Sequence, residues 1–255
     1  MTEPLEALRL VDAWPVEHAA VVVVGPDRPL AERGEVDRTF RLASVTKLLV
    51  AYACLIAVQE GVLDLDAPAG PEGATVRHLL AHASGLGFDD SVPASPVGRR
   101  RAYSNPGFER LGEVLAAATG MPVAEYLREG IFQPLGMADT ELKRSPAHGA
   151  YGSAADLGRF ALELLRPTLV EPAMVAQAVT VQFPGLAGVH PGLGRQKPMD
   201  WGLAHPGGLL GAAEVEAETP VHGVLASQSG VHPGQPGDLD GHRLGDHRRL
   251  HQGGP

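Results

Sequence analysis

The chain has 255 residues, room for one large domain or two intertwined ones, and an ordinary soluble apolar fraction of 44%. A formal net charge of -9 argues against nucleic acid and anionic membranes as partners. One cysteine, Cys54, excludes an internal disulfide framework and reads as a small buried hydrophobe.

The first residues, Met1 to Glu6, are acidic where a secretory signal would be basic, and the expected location is cytoplasmic. His18 to Val24 is a short β-branched run ended by Gly25-Pro26-Asp27, a buried strand and its turn. Val21 to Val24 is too short to span a membrane. Arg38 to Leu42 alternates polar and apolar and reads as a second strand leading to Ser44. The following run, Leu48 to Val58, is apolar nearly all round, so it predicts a buried helix from about Val45 to Glu60, with Gly61 as its C-cap.

Ser44-Val45-Thr46-Lys47 opens that helix. Residues three apart share a helix face, which sets the Lys47 amine beside the Ser44 hydroxyl. A serine is a weak nucleophile until a base takes its proton, and a lysine against an apolar wall can lose its charge and do so. The bland alternative is a serine N-cap with a solvated lysine. Against it, a cation in the first turn opposes the helix dipole.

Leu63 to Pro68 reads as a loop, and Thr75 opens a helix through His82. Asp64, Asp66, Asp89 and Asp90 have no metal-ligand spacing and read as loop residues; no metal or organic cofactor is expected. Arg99-Arg100-Arg101 reads as solvated loop. Tyr103-Ser104-Asn105-Pro106 precedes an amphipathic helix, Phe108 to Ala118, closed by Gly120. Ser-Asn-Pro is ordinary turn chemistry. Beside Ser44 and Lys47 it gains a second meaning. A Tyr103 hydroxyl with a lowered pKa serves as acid or base, and Asn105 hydrogen-bonds Lys47 and a substrate amide. Pro122 to Glu129 reads as a short helix, and Ser153 caps one ending at Leu165. A mostly helical middle leaves the sheet to the two ends of the chain, an α+β arrangement.

The chain resembles the class C β-lactamase-like serine hydrolases, a family that includes penicillin-binding proteins, D-aminopeptidases and esterases. The matching segments are Phe40 to Lys47, Thr75 to Leu86, Tyr103 to Phe108 and Tyr151 to Leu157, within a similarity from about His18 to Leu203. The resemblance implies an antiparallel sheet flanked by helices with an inserted, mostly helical region. It implies Ser44 as acylated nucleophile, Lys47 and Tyr103 as the acid–base pair, and Asn105 as the residue placing Lys47 and substrate. It also implies an oxyanion hole partly built from the Ser44 backbone N–H, and a structural His82. The expected substrate is a small-molecule ester, amide or β-lactam.

The family's third motif, Lys or His followed by any residue and Gly, has two candidates, His205-Pro206-Gly207 and His232-Pro233-Gly234. Spacing after Trp201-Gly202-Leu203 favours the later, with His232 and Gly234 in the substrate-binding role; local glycine content favours the earlier. Proline in the middle position is a poor strand residue. After Trp201 there is no Phe, Tyr, Ile, Met, Lys, Asn or Cys, and only Val215 to Glu218 and Val221 to Leu225 approach a strand pattern. The final strands are therefore expected to be missing or disordered. A frame shift after Leu203 in a GC-rich gene fits this composition better than a divergent, metal-binding tail built on His242, His247 and His251.

The expected organisation is 1–60 as the N-terminal part of the α/β domain, 61–199 as the mostly helical region, and 200–255 as an atypical tail. The expected function is hydrolysis through acyl-Ser44. The alternatives are an impaired, acylatable binding protein or an inactive frame-shift product. Oligomeric state stays open.

Overall fold

A computed structural model describes residues 8–180, 182–183, 186 and 222–228 of the chain. Strands β1 (His18–Val24), β2 (Pro29–Gly34) and β6 (His222–Gln228) form an antiparallel sheet in the order β2-β1-β6. A second antiparallel sheet has the order β3-β5-β4, from β3 (Thr39–Arg41), β4 (Glu141–Leu142) and β5 (Ala150–Ser153). The helices are α1 (Thr46–Gln59), α2 (Val76–Leu80), α3 (Asn105–Thr119), α4 (Val123–Leu127), α5 (Ala154–Leu165) and α6 (Pro172–Ala178). The chain is thus an α+β fold.

The valine run of β1 is explained by burial on both faces. Ala20, Val22 and Val24 enter the main core, while Val21 and Val23 pack against Leu8 and Val11 of an N-terminal 3-10 turn. A strand covered on both sides needs no polar alternation. On the main-core side α5 comes close: a Cβ at Gly158 would lie 2.9 Å from Val22 Cγ1. The β1–β2 pairing ends at Gly34 (φ +82°), where a Cβ would fall 2.0 Å from the Ala19 carbonyl oxygen, so only glycine fits.

Three differences from the sequence reading have physical causes. The first sheet does come from the chain's two ends, but the second is built from residues 39–41, 141–142 and 150–153. Its strands are two to four residues long, and only β3, inside the alternating Arg38-to-Leu42 run, has a readable pattern. Strand β2 was hidden by Pro29 and the charged Glu32 and Arg33, which suit an edge strand. Strand β6 takes in residues 222–225 of one of the tail's two strand-like stretches, and pairs with β1 from His18↔Gln228 to Val24↔His222.

Helix α1 is the hub of the core, with every residue from Thr46 to Ala57 buried. Cys54 is fully buried there, and burial pushes its thiol up to about 12, which keeps it unreactive. Tyr52 of α1 donates to Glu163 of α5 at 2.6 Å. The buried Glu163 carboxylate also accepts from Thr168 N and Oγ1 and from Leu169 N, at 2.7 to 2.8 Å. Burial and this hydrogen bond raise the Tyr52 pKa, so the phenol stays a donor. Removing the acceptor strands several buried donors at once. Glu163→Ala should therefore cost roughly 3–5 kcal/mol in urea unfolding. A loss below about 1 kcal/mol would show that these bonds are replaceable.

Candidate active site

The chain enters the site through β3 and a 3-10 turn, Ala43–Val45, which leads directly into α1. Ser44 therefore sits in the turn before the α-helix. A 3-10 turn eclipses residues three apart, and Lys47 Nζ lies 3.4 Å from Ser44 Oγ. Thr46 fastens this turn: its hydroxyl donates to the Ala43 carbonyl at 2.6 Å and accepts from Ala150 N at 2.9 Å. Leu42 N also donates to the Ala150 carbonyl, at 2.9 Å. The Ser44 turn is thus tied to β5 on both sides.

Ala43, just before Ser44, has φ +45°. The left-handed region costs an L-residue about 1–2 kcal/mol. Ala43→Gly should relieve this and raise the free energy of unfolding by about 0.5–1 kcal/mol in chemical denaturation. Unchanged or lower stability would mean that the turn carries no strain.

Lys47 is 1% exposed. Its Nζ donates to Asn105 Oδ1 at 2.6 Å and to the Ala147 carbonyl at 2.8 Å. The Tyr103 ring lies under it, 4.5 Å from Nζ to the centroid, and the Phe108 ring at 5.7 Å. Burial lowers its pKa to about 8, against the upward pull of Glu109 and Asp89.

Tyr103 departs from its expectation. Its pKa is raised, because burial outweighs the downward effects of a hydrogen bond with the Ser44 side chain and the Arg101 charge. Tyr103 is thus a phenol that touches Ser44, and the low-pKa member of the pair is Lys47.

Asn105 opens α3. Ser104 caps the helix by accepting from Gly107 N at 3.1 Å, and Pro106 follows in the first turn. His82 holds this segment from behind. Its carbonyl accepts from Ala102 N at 2.9 Å and its Nδ1 from Ser104 N at 3.1 Å. Its ring lies 4.7 Å from Tyr103 and 5.3 Å from Phe108. It stands just past α2 in the left-handed region (φ +57°), which histidine tolerates better than most residues. Its contacts are those of a structural residue.

Five groups at the site escaped the sequence reading. The Ala147 carbonyl has no side-chain signature. Glu109 accepts from Ser145, whose hydroxyl in turn accepts from Ala147 N at 3.0 Å. Asp89, taken for a plain loop residue, accepts from Asn105 Nδ2 at 2.6 Å. Arg101 belongs to the arginine run assigned to solvent, yet it bears on Tyr103. Phe88, exposed, lies 5.7 Å from the Tyr103 ring. His232 and Gly234 lie outside the described residues, as do His205 and the candidate metal-binding histidines of the tail. Among the described residues no group of three His, Cys, Asp or Glu could hold a metal ion.

Residues 16–237 match the family model described as Beta-lactamase, a span that runs past Leu203. The chain belongs to the beta-lactamase family. A beta-lactamase (Mb2281c) from Mycobacterium bovis is 41% identical, with a TM-score of 0.79 over 89% of this chain and 92% of that one. Esterase EstB of Burkholderia gladioli is 34% identical over 44% of this chain and 39% of its own length. The D-alanyl-D-alanine-carboxypeptidase/endopeptidase AmpH of Escherichia coli K12 is 28% identical over 57% and 52%. The chain thus spans about half or less of the length of these two curated relatives of the beta-lactamase family. No helix among the described residues is long and apolar enough to cross a membrane.

Proposed function

We propose that the chain is a serine hydrolase that acylates Ser44 with a small-molecule ester, amide or β-lactam and then releases the acyl group to water. The observation that carries this reading is the set of contacts around Lys47 Nζ. A neutral amine has two N–H bonds and one lone pair. Two acceptor-only oxygens, Asn105 Oδ1 and the Ala147 carbonyl, take the N–H bonds, and the remaining neighbour is Ser44 Oγ. The lone pair is aimed at the proton it must remove.

A pKa of about 8 makes a useful fraction of Lys47 neutral near neutrality. Lys47 takes the Ser44 proton as Oγ attacks the carbonyl carbon. The Ser44 N–H, at the positive end of α1, supports the oxyanion. As the tetrahedral intermediate collapses, the bond to the leaving oxygen or nitrogen breaks. The Tyr103 phenol gives that atom a proton, and the Lys47 ammonium restores it. Water repeats the sequence on acyl-Ser44, with the roles reversed.

The esterase and carboxypeptidase names among the relatives support a carbonyl substrate with an oxygen or nitrogen leaving group. Exposed Phe88 beside Tyr103 offers apolar surface to its acyl part. The test is intact-mass labelling with a fluorophosphonate, followed by a turnover screen over short-chain esters, amino-acid amides and a chromogenic β-lactam. Labelling with no turnover would favour a protein that captures its ligand and stays acylated. No labelling of a folded chain would overturn the reading.

A further inference from the structure

Asn105 can do its work in only one of two orientations. With Oδ1 toward Lys47, it accepts an N–H and leaves the amine's lone pair for Ser44. With the amide turned over, Nδ2 would donate into that lone pair and block the base. A charged lysine selects the correct orientation by itself, because an ammonium only donates. A neutral lysine does not, and the neutral form is the one that reacts.

On the far side of Asn105 stands Asp89. Its Oδ1 accepts from Asn105 Nδ2 at 2.6 Å, and Asn105 Oδ1 in turn lies 2.6 Å from Lys47 Nζ. A carboxylate only accepts, so it admits one amide orientation whatever the charge on Lys47. The loop that presents it is fixed independently. Asn105 N donates to the Phe88 carbonyl at 2.8 Å, Val92 N donates to Asp90 Oδ1 at 2.8 Å, and Leu86 bridges to Pro93. Asp89 itself is exposed and supports no core packing.

We propose that Asp89 is a positioning residue for the base: it claims the Asn105 side-chain N–H and thereby keeps the lone pair of Lys47 for Ser44. The inference rests on the acylation reading above and adds to it a residue on the loop between α2 and α3. Lys47 meets Ser44 from its opening turn, the Tyr103 and Phe108 rings, and Asn105 with nearby Glu109 from α3. The Ala147 carbonyl meets it from the β4–β5 connection. Arg101 and His82 reach this group through Tyr103. Asp89 and Glu109 both draw the Lys47 pKa upward. Removing either carboxylate therefore moves the acidic limb of the rate profile to lower pH.

The experiment compares Asp89→Ala with Asp89→Asn, which keeps an acceptor oxygen and loses the charge. The rate of Ser44 labelling by a fluorophosphonate is followed from pH 6 to 10, and a crystal structure of Asp89→Ala is solved. Both variants should shift the limb downward. Asp89→Ala should lose on the order of tenfold in the high-pH plateau, with the Lys47–Asn105 contact broken or the amide turned over, and Asp89→Asn, whose amide both donates and accepts, should lose no more than that. An Asp89→Ala plateau within twofold of wild type overturns the proposal. So does an Asp89→Ala structure in which Asn105 Oδ1 still faces Nζ at its original distance. If wild type does not label but the contact breaks in Asp89→Ala, the positioning role stands and the acylation reading falls.

Discussion

Ser44→Ala is expected to abolish fluorophosphonate labelling and to lower any ester or amide turnover by on the order of 10⁴-fold or more. The size follows from the role. Without Oγ no acyl-enzyme forms, and what remains is binding and partial oxyanion stabilisation. The fold should not notice. Ser44 Oγ meets Lys47 at 3.4 Å, the longest of the three Nζ contacts, and the two shorter ones survive in the variant. Thr46, not Ser44, ties the turn to β5. Intact mass gives the stoichiometry, and an unfolding curve alongside excludes collapse. Label that persists at one equivalent in Ser44→Ala would place the reactive group elsewhere.

Lys47→Met is expected to slow labelling by roughly 10²–10⁴-fold, the usual worth of a general base, and to remove its pH step. On the proposed mechanism the reactive form is neutral Lys47. The rate should rise about tenfold per unit up to about pH 8 and then level. Stability carries the same signature with a definite sign. The Lys47 pKa falls from 10.5 to about 8 on folding, so the unfolded chain binds the extra proton between those values. Unfolding free energy should therefore gain a contribution of on the order of 3 kcal/mol as pH rises through that window. The gain should be absent in Lys47→Met. A rate profile flat from pH 6 to 9 in wild type would remove Lys47 from the role of base.

The features that were legible beforehand are those written in runs of side chains. Four valines gave β1, eleven apolar residues gave α1, and Ser153 gave the start of α5. Ser44, Lys47, Tyr103 and Asn105 converge because their motifs sit at the ends of such elements. What escaped depends on distant partners. Strands β4 and β5 are too short to have a period, and β2 is polar because it is an edge. The contacts that orient Lys47 come from a backbone carbonyl at 147 and, through Asn105, from an aspartate in an exposed loop. Neither has a local pattern. The Tyr103 pKa was misjudged because burial, which no local pattern shows, outweighs the neighbouring charge and hydrogen bond.

The pairing of β1 with β6 joins stretches roughly 200 residues apart. Ribosomes add about 5–20 residues per second, so β1 emerges roughly 10–40 s before its neighbour exists. Over that interval the chain can fold α1 and pair β1 with β2, while the other edge of its most apolar strand waits. During synthesis that edge is open to pairing with another nascent chain. Pairing of β1 with β6 is thus timed by synthesis through residue 228, and any slowing of translation before it lengthens the exposure.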